Sequence, residues 1–320
     1  MKTVFIVNPK AGQGKNAQKL IENIRQTARA LNADIEIYET RAAGDAARFV
    51  KEYCKQNGGS RFIACGGDGT LSEVLNGAIS CADSEVGVLP IGTGNDFCRN
   101  FANREEFYNI ESQISGESEK CDVIKYETTI NGSKKEGYCV NMVNIGFDCN
   151  VADMTAEMKK KPFISGSVAY FLSILSTLIK KKGANLKIEL DGMLKHEGPL
   201  LLTSIANGSY CGGGIKSNPL ASVQDGFINI NIIKNVSRLK FIYLLPYYMK
   251  GTFLKLKDVE RIISSVKCQK IIITPLDGKI RICNDGEIIS AEKIQFEIVK
   301  GAFNFVLPGE KVFSEKLLTK

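Results

Sequence analysis

One glycine-rich segment constrains this chain more than any other: CGGDGTLSEVLNG, residues 65 to 77, follows an apolar strand and opens a predicted helix. Glycines leave the backbone N–H groups of such a loop unobstructed, and the first turn of the helix adds unpaired donors and the positive end of its dipole. The pattern predicts a phosphate site. Asp68 would then need a divalent cation between its carboxylate and the phosphates, as Mg²⁺ provides in nucleotide enzymes. The alternative is a glycine turn with Asp68 or Thr70 as a helix cap.

A second segment repeats the arrangement, because GVLPIGTGNDFCRNF at residues 87 to 101 is again an apolar strand, a glycine loop with an acidic residue, and a helix. In open α/β sheets, ligands bind at the carboxyl ends of strands. Five side chains from the two loops are therefore expected to face one nucleotide: Asp68, Thr70, Thr93, Asn95 and Asp96. The segment at residues 8 to 16 lacks the spacing of a Walker A loop, and neither glycine loop has the Rossmann spacing.

The pattern of apolar residues and turn signals changes near residue 122. Before it, apolar strands alternate with amphipathic helices, which predicts an open parallel sheet of βα units with helices on both faces. After it, short apolar runs are separated by turn signals such as Asp191-Gly192 and Asp277-Gly278, which predicts an antiparallel β-sandwich or barrel. At 320 residues the chain suits two domains. The predicted fold class is thus α/β, with an N-terminal parallel-sheet domain and a C-terminal, mainly antiparallel one.

Composition excludes several classes of protein. Charged residues at 24% and hydrophobic residues at 44% are typical of a folded, soluble chain, and the net charge of +7 suits phosphate ligands or anionic membranes. No zinc module or dense basic run predicts nucleic-acid binding. The single histidine, His196, argues against a Ser-His-Asp triad, and ten scattered cysteines without a secretory signal predict reduced thiols in the cytoplasm.

Two apolar stretches are too short or too polar to span a membrane. Residues 164 to 179 contain four serines and have lysines on both sides, and residues 239 to 256 combine aromatic residues with lysines. Both are interpreted as core helices with solvated lysines, and a helix lying on a membrane surface is the alternative for each.

The motifs taken together resemble the bacterial diacylglycerol-kinase-type lipid kinases, whose catalytic domain is shared with sphingosine and ceramide kinases. The likeness extends over nearly the whole chain and rests on the order and spacing of short strings, each weak by itself. These are NPKAG (8 to 12), Thr40, GGDGTLSEV, PIGTGNDFCR, the Asp of CDVIKY, NIGFD (144 to 148), NGSYCGGGIKSNPLASVQDG (207 to 226) and NDGE (284 to 287).

The resemblance implies an α/β catalytic domain over residues 1 to 122, with residues 300 to 320 packing back on it, and a β-rich lipid-substrate domain over 123 to 299. It implies that the nucleotide is contacted by Asn8, Pro9, Lys10, Ala11, Gly12, Thr40, Gly66, Gly67, Asp68, Gly69, Thr70, Leu71, Ser72 and Thr93, with Asn95 and Asp96 nearby. Asp68 would hold Mg²⁺ together with Asp96 and Asp122, mainly through water. A second, structural Mg²⁺ would be bound by Asp225 and the main-chain oxygens of Ser222 and Phe227.

By the same resemblance, Asp285 or Glu287 is the base that takes the proton of the substrate hydroxyl, and the sequence does not decide between them. The predicted function is an ATP- and Mg²⁺-dependent lipid kinase, with the conversion of diacylglycerol to phosphatidic acid as the leading reaction. Another lipid acceptor, such as phosphatidylglycerol or a sphingoid base, an NAD kinase, and a catalytically silent membrane regulator are the alternatives. The expected partners are a lipid substrate and the anionic inner face of the membrane, bound peripherally from the cytoplasm, and a homodimer is left open.

Overall fold

The computed structural model describes residues 1–14, 17–130, 132–147 and 183–308, with the backbone alone for residues 13, 14 and 287. The chain forms two compact units. Unit 1 takes Met1–Asp122 and the described residues from Gly301 onward, and unit 2 takes Val123–Lys300. The two boundaries fall inside two long strands, Glu117–Ile130 and Lys293–Leu307.

Unit 1 is a parallel sheet flanked by helices. Its strands are ordered β2-β1-β3-β4, and the C-terminal part of β16 pairs in parallel with β4. The strands are β1 (Thr3–Val7), β2 (Ile35–Glu39), β3 (Arg61–Gly66) and β4 (Glu85–Pro90). The helices are α1 (Ala17–Ala30), α2 (Asp45–Asn57), α3 (Asp68–Ala78) and α4 (Ile110–Ser115), with short 3-10 helices at Ala11–Gly14, Phe97–Asn100 and Arg104–Tyr108.

Apolar periodicity explains why these elements form. All five residues of β1 are buried, as expected for a parallel strand covered on both faces. Helix α1 buries Ile21, Ile24 and Ala28, which lie on one face at helical spacing. These helix side chains join strand residues such as Phe5 and Ile63 in one core cluster. The predicted parallel α/β sheet is confirmed.

Unit 2 contains two antiparallel sheets. In the first sheet, β13 pairs with β16 on one side and with β8 on the other, and β8 forms a hairpin with β9. Strand β5 of the same sheet pairs with β16 and with β6. The second sheet is ordered β12-β11-β10-β7-β14-β15. The bounds are β5 (Glu117–Ile130), β6 (Ser133–Cys139), β7 (Met142–Gly146), β8 (Ala184–Leu190), β9 (Met193–Leu200), β10 (Leu202–Ala206), β11 (Ile228–Ile233), β12 (Ile263–Cys268), β13 (Lys270–Pro275), β14 (Ile280–Asn284), β15 (Glu287–Ala291) and β16 (Lys293–Leu307).

Alternating apolar residues of both sheets meet in a single core. Ile188 and Ile271 of the first sheet and Ile205 and Ile230 of the second belong to the same buried cluster. This arrangement is a β-sandwich, and it confirms the second half of the predicted fold class.

A single described helix of unit 2, α5 (Arg238–Lys250), covers the other face of the second sheet. Ser237 caps it by accepting a hydrogen bond from the Lys240 N–H, and it ends at Gly251, whose φ of 69° is the left-handed conformation typical of a helix end. Short 3-10 helices follow at Phe253–Lys255 and Val259–Arg261. The other predicted helix, at residues 164 to 179, lies outside the described residues. Among the helices that the structure describes, none is long and apolar enough to cross a bilayer.

Candidate active site

Loops from three parallel strands meet at the carboxyl edge of the unit 1 sheet. The Asn8 N–H, just after β1, donates to the Cys65 carbonyl of β3 at 3.0 Å. The Asn8 side chain then donates to Thr70 Oγ1 in the first turn of α3 at 3.2 Å. Thr40, which follows β2, donates its N–H to the Val7 carbonyl at 2.9 Å. Residues that lie far apart in sequence therefore share one edge, as expected for a parallel sheet.

The two glycine loops touch each other. The Gly92 N–H donates to the Gly66 carbonyl at 3.1 Å, and a Cβ on Gly92 would lie only 2.3 Å from Gly67 Cα. A Cβ on Gly66 would lie 2.2 Å from Thr70 Oγ1. Gly69, in contrast, has nothing within 4 Å of the place where a Cβ would stand. Gly66 and Gly92 are thus needed for packing, whereas Gly69 leaves the start of α3 open to a ligand.

The Asp68 carboxylate points to the second loop and does not cap its own helix. Its Oδ1 accepts a hydrogen bond from the Phe97 N–H at 3.1 Å, at the start of the 3-10 helix Phe97–Asn100. Helix α3 begins without a side-chain cap. Burial raises the pKa of the Asp68 carboxyl, and the backbone N–H groups of Phe97 and Asp96 oppose that rise. Asp68 therefore joins the two loops.

The Asp68 and Asp96 carboxylates approach each other beside Gly94. A Cβ on Gly94 would stand 2.9 Å from Asp68 Oδ2 and 3.3 Å from Asp96 Oδ2. Two carboxylates of like charge, one of them buried, favour a cation between them, and their oxygens are the ligands that Mg²⁺ prefers. The pair fits a magnesium ion held by one or two carboxylates and phosphate oxygens. In the described part of the chain no group of three or more acidic, cysteine or histidine side chains forms a complete metal cage.

Arg99 is a functional candidate that the sequence reasoning did not select. Its guanidinium lies 3.4 Å from Asp96 Oδ1 and donates to the Gly94 carbonyl at 3.2 Å. It places a positive charge beside the second glycine loop, where a phosphate would be favoured. The sequence signal for this residue lies in the string GNDFCR, in which Arg99 follows Asp96 by three positions.

The remaining residues that were predicted to contact the nucleotide differ in burial and in their hydrogen bonds. Thr93 is exposed at the tip of the second loop, while Asn95 adopts a left-handed φ of 52° and donates its amide to the Pro90 carbonyl at 2.6 Å. In the loop that follows β1, the Lys10 N–H donates to Asn8 Oδ1 at 3.0 Å. Leu71 is buried in the core, so only its backbone is available to a ligand.

Asp122 occupies a different setting within unit 1. Its buried carboxylate accepts a hydrogen bond from the Gly301 N–H at 2.7 Å, where β16 enters the unit. This contact ties the end of unit 1's first segment to its second segment. The role of Asp122 in holding magnesium stays a prediction.

In unit 2, the Asp285 side chain holds the segment Val140–Met142 by hydrogen bonds, an arrangement called the Asp285 brace below. It sits with Gly286 in the turn between β14 and β15, with φ values of 44° and 94° that are typical of a two-residue hairpin turn. Its oxygens accept hydrogen bonds from three consecutive N–H groups, those of Val140 at 2.8 Å, Asn141 at 3.1 Å and Met142 at 3.0 Å. Burial raises the pKa of the Asp285 carboxyl, and the N–H groups of Met142 and Val140 oppose the rise. Glu287 begins β15 on the far side of the turn.

A third segment joins this brace. Asn141 donates its side-chain amide to the Tyr210 carbonyl at 2.6 Å, and Asn207 donates its own to the Val140 carbonyl at 2.7 Å. The predicted strings that begin at residues 207 and 284 therefore converge on the segment Val140–Met142 in unit 2. Sequence reasoning missed Asn141, because an asparagine between two apolar runs carries no signal of its own.

Comparison with known proteins identifies the family. Residues 2–126 match the model described as "Diacylglycerol kinase catalytic domain", and residues 141–307 match "YegS C-terminal NAD kinase beta sandwich-like domain". The chain belongs to the diacylglycerol kinase family. The predicted resemblance is thereby confirmed.

Relatives of the same length support the assignment to this kinase family. The chain is 27% identical over 312 residues to "Diacylglycerol kinase" of Bacillus subtilis strain 168, covering 96% of this chain and 92% of that protein. It is 27% identical over 311 residues to "Lipid kinase YegS" of Escherichia coli K12, with 96% of each covered. A crystal structure of a candidate diacylglycerol kinase from Bacillus anthracis strain Sterne superimposes with a TM-score of 0.72 at 26% identity, covering 95% of this chain and 96% of that one.

The YegS-type unit of this family member contains an apolar pocket that is partly open to solvent. It lies under α5 and is lined almost wholly by apolar atoms, including those of Phe147, Leu202, Ile233 and Leu244. Cys211, which also lines the cavity, follows the Tyr210 whose carbonyl accepts the Asn141 amide. One loop therefore connects the polar brace around Asp285 with an apolar space.

The segment that suggested a second magnesium site carries an ion pair. Asp225 Oδ2 lies 2.6 Å from Lys267 Nζ, and Asp225 Oδ1 accepts a hydrogen bond from the Phe227 N–H at 3.0 Å. Ser222 and Phe227 are exposed on either side. The lysine ammonium supplies the positive charge that the predicted cation would bring, so Mg²⁺ at Asp225, Ser222 and Phe227 would have to displace Lys267. The second site stays a prediction.

Proposed function

We propose that this member of the diacylglycerol kinase family transfers the γ-phosphate of ATP to a lipid hydroxyl with the help of Mg²⁺, and that diacylglycerol is its first acceptor. The observation that carries the proposal is the pair of touching glycine loops, with the Asp68 and Asp96 carboxylates close together beside Gly94. Open backbone N–H groups favour phosphate, while paired carboxylates favour a divalent cation. A nucleotide bound with its metal satisfies both at once.

The residues of unit 1 would position the nucleotide. The N–H groups at the start of α3, where Gly69 leaves space, would bind phosphate oxygens, and Arg99 adds a positive charge beside the second loop. Asp68 and Asp96 would hold Mg²⁺, with Asp122 as a further, water-mediated contributor. When bound, the metal neutralises charge on the phosphates during transfer.

Of the two proposed bases in unit 2, Glu287 is the better candidate. Three backbone N–H groups engage the Asp285 oxygens and stabilise them as acceptors within the loop. Taking a proton from a substrate would weaken these bonds and with them the loop. Asp285 is therefore proposed as a positioning residue, and Glu287, two residues along the same hairpin, as the group that accepts the hydroxyl proton.

The apolar cavity supports a lipid as the acceptor. A hydrocarbon chain placed among Phe147, Leu202 and Leu244 would leave water without exposing any buried charge. The name of the Bacillus subtilis relative makes diacylglycerol the first acceptor to test. A lipid substrate also places the protein at the inner face of the membrane, bound peripherally to an anionic surface.

Other acceptors are distinguishable. Phosphatidylglycerol or a sphingoid base would use the same loops and change only the product. NAD is a specific alternative, since the second family model describes an NAD-kinase-like sandwich. A silent nucleotide-responsive regulator would keep the fold and transfer nothing.

The decisive experiment follows γ-labelled phosphate from ATP into diacylglycerol, sphingosine, ceramide, phosphatidylglycerol, undecaprenol and NAD, with the lipids in mixed micelles and with or without Mg²⁺. Asp68→Asn is the test variant. Asp83→Asn, at an exposed left-handed position that asparagine accepts, is its matched control.

Labelled phosphatidic acid that needs Mg²⁺ and disappears only in Asp68→Asn is the expected result. Label in another lipid would change the acceptor and keep the mechanism. Label in NAD alone would contradict the lipid assignment, and ATP binding without any transfer would favour the regulator.

A further inference from the structure

The outer face of α5 is apolar although it is exposed. Leu239 is 82% exposed, Ile242 50% and Tyr243 54%, and their spacing along the helix places them on one side. Leu254, in the short 3-10 helix that follows, is exposed as well. Single exposed apolar residues are ordinary, whereas several on one helix face indicate a surface that binds something.

The inner face of the same helix already has its packing partners. Phe241 and Leu244 are buried and line the apolar cavity, and Phe241 packs against the Phe147 ring at 5.2 Å between centroids. The helix is therefore apolar on both sides. A surface helix of a water-soluble domain normally keeps its outer side polar.

The segment that contains this helix is basic. Between residues 234 and 257 the chain carries six basic residues and no acidic one: Lys234, Arg238, Lys240, Lys250, Lys255 and Lys257. The Lys240 ammonium lies 5.7 Å from the centre of the Tyr243 ring, so its charged end stays beside an exposed aromatic side chain. Basic residues surrounding exposed Leu, Ile and Tyr side chains are typical of helices that lie in a membrane interface.

We propose that the outer face of α5 and the adjoining Leu254 insert into the interface of an anionic phospholipid bilayer. Leu239, Ile242 and Tyr243 enter the boundary between headgroups and acyl chains, while the lysines bind the anionic headgroups. The proposal rests on the peripheral membrane binding proposed above and names the surface that inserts, but it requires no nucleotide and no turnover. All vesicle measurements are therefore made without ATP, so a failed kinase assay and a failed binding assay are separate results.

The protein contains no tryptophan, which allows a single fluorescent probe to be placed at will. Leu239→Trp puts the probe on the proposed surface. Met193→Trp is the matched control, because Met193 is 72% exposed at the start of β9. Equimolar phosphatidylglycerol and phosphatidylcholine vesicles should shift the emission of Leu239→Trp to the blue, and brominated lipids should quench it, while Met193→Trp stays unchanged. Equal responses at both positions, or none at Leu239→Trp, would overturn the proposal.

Removal of the apolar side chains tests the insertion directly. The combined change Leu239→Ser, Ile242→Ser and Tyr243→Ser should weaken vesicle affinity by about tenfold or more, given the apolar area withdrawn from the bilayer. Met193→Ser with Leu194→Ser removes exposed apolar groups of the same unit and should leave affinity unchanged. Thermal melting of each variant shows whether it is folded. If the triple serine variant does not fold, the Leu239→Trp measurement in the otherwise unchanged chain tests the insertion instead.

Charge is tested with Lys240→Gln plus Lys250→Gln against Lys134→Gln plus Lys135→Gln, exposed lysines of β6. The first pair should lower affinity for anionic vesicles several-fold, and raised salt should abolish the difference between the two pairs. Equal loss in both pairs would contradict a localised surface.

The face could instead bind a second copy of the chain. A triple serine variant that turns a dimer into a monomer and still binds vesicles would overturn the membrane assignment.

Discussion

Asp68 in unit 1 and Asp285 in unit 2 invite comparison, because both are aspartates beside glycines and burial raises the pKa of both. Asp68 receives the Phe97 N–H on one oxygen and presents the other toward Gly94 and Asp96. Asp285 receives N–H groups from three consecutive residues on its two oxygens. Similar local sequence thus supports two roles: one carboxylate is available for a metal, and the other holds a loop.

The largest expected effect comes from Asp68→Asn. Loss of a carboxylate that helps to hold the metal should lower kcat by about a thousandfold or more, as with other groups that stabilise transferring charge. Thermal stability should be equal or higher, because the variant keeps an acceptor for the Phe97 N–H without a buried charge. Activity is measured by labelled transfer and stability by calorimetry. Parallel loss of both would indicate that Asp68 is structural and would remove the contrast with Asp285.

Glu287→Gln and Asp285→Ala separate the proposed base from the brace. Glu287→Gln should lower kcat by about 10² to 10⁴, the range for a general base, with melting unchanged. Asp285→Ala should destabilise by about 1–3 kcal/mol or more, since buried N–H groups lose their acceptor. Chemical denaturation and steady-state kinetics distinguish the two. If Glu287→Gln transfers phosphate normally and Asp285→Asn is folded but inactive, the assignment is reversed.

A pair of glycine variants tests the contact between the two loops of unit 1. Gly92→Ala should destabilise by about 1–3 kcal/mol and raise the KM for ATP, because its Cβ would meet the Gly67 backbone. Gly69→Ala has open space and should stabilise α3 by about 0.5–1 kcal/mol while still weakening nucleotide binding. Equal ATP affinity in Gly69→Ala and the unchanged protein would argue against phosphate at the start of α3.

The raised pKa of Asp68 predicts a pH dependence of stability with a definite sign. A carboxyl whose pKa is higher in the folded state binds its proton more tightly there, so its stabilising contribution is full at acid pH and is lost as pH rises through the folded pKa. Asp68→Asn should therefore be more stable than the unchanged protein at neutral pH, and the difference should shrink on acidification. Urea titrations from pH 4 to pH 8 measure it, and a difference that grows toward acid would show that the pKa is lowered.

The smallest effect concerns another aspartate beside a glycine, Asp225. Lys267→Gln should change stability by less than about 1 kcal/mol, since the ion pair is partly exposed. If Asp225 can instead hold magnesium, added Mg²⁺ should raise the melting temperature of Lys267→Gln more than that of the unchanged protein. Identical responses to Mg²⁺ would leave the predicted second metal site without support.

The grouping of Asp68 and Asp96 was predictable from sequence, because each follows a glycine loop at the end of an apolar strand and parallel strands share an edge. The roles of Asp285 and Arg99 were not. Asp285 contacts a residue 145 positions away, and no local pattern reports such a contact. A short apolar and aromatic helix likewise did not reveal which of its faces would be covered.

By itself, the amino-acid sequence determined the fold class of each half, the position of the two glycine loops at strand ends and the family, since periodicity, glycine freedom and motif order are local properties. Only the tertiary structure decided that the two loops touch, that two carboxylates meet beside Gly94, that Lys267 pairs with Asp225 and that α5 exposes Leu239, Ile242 and Tyr243. These features depend on packing between distant segments, where burial and long-range hydrogen bonds determine the environment of each side chain.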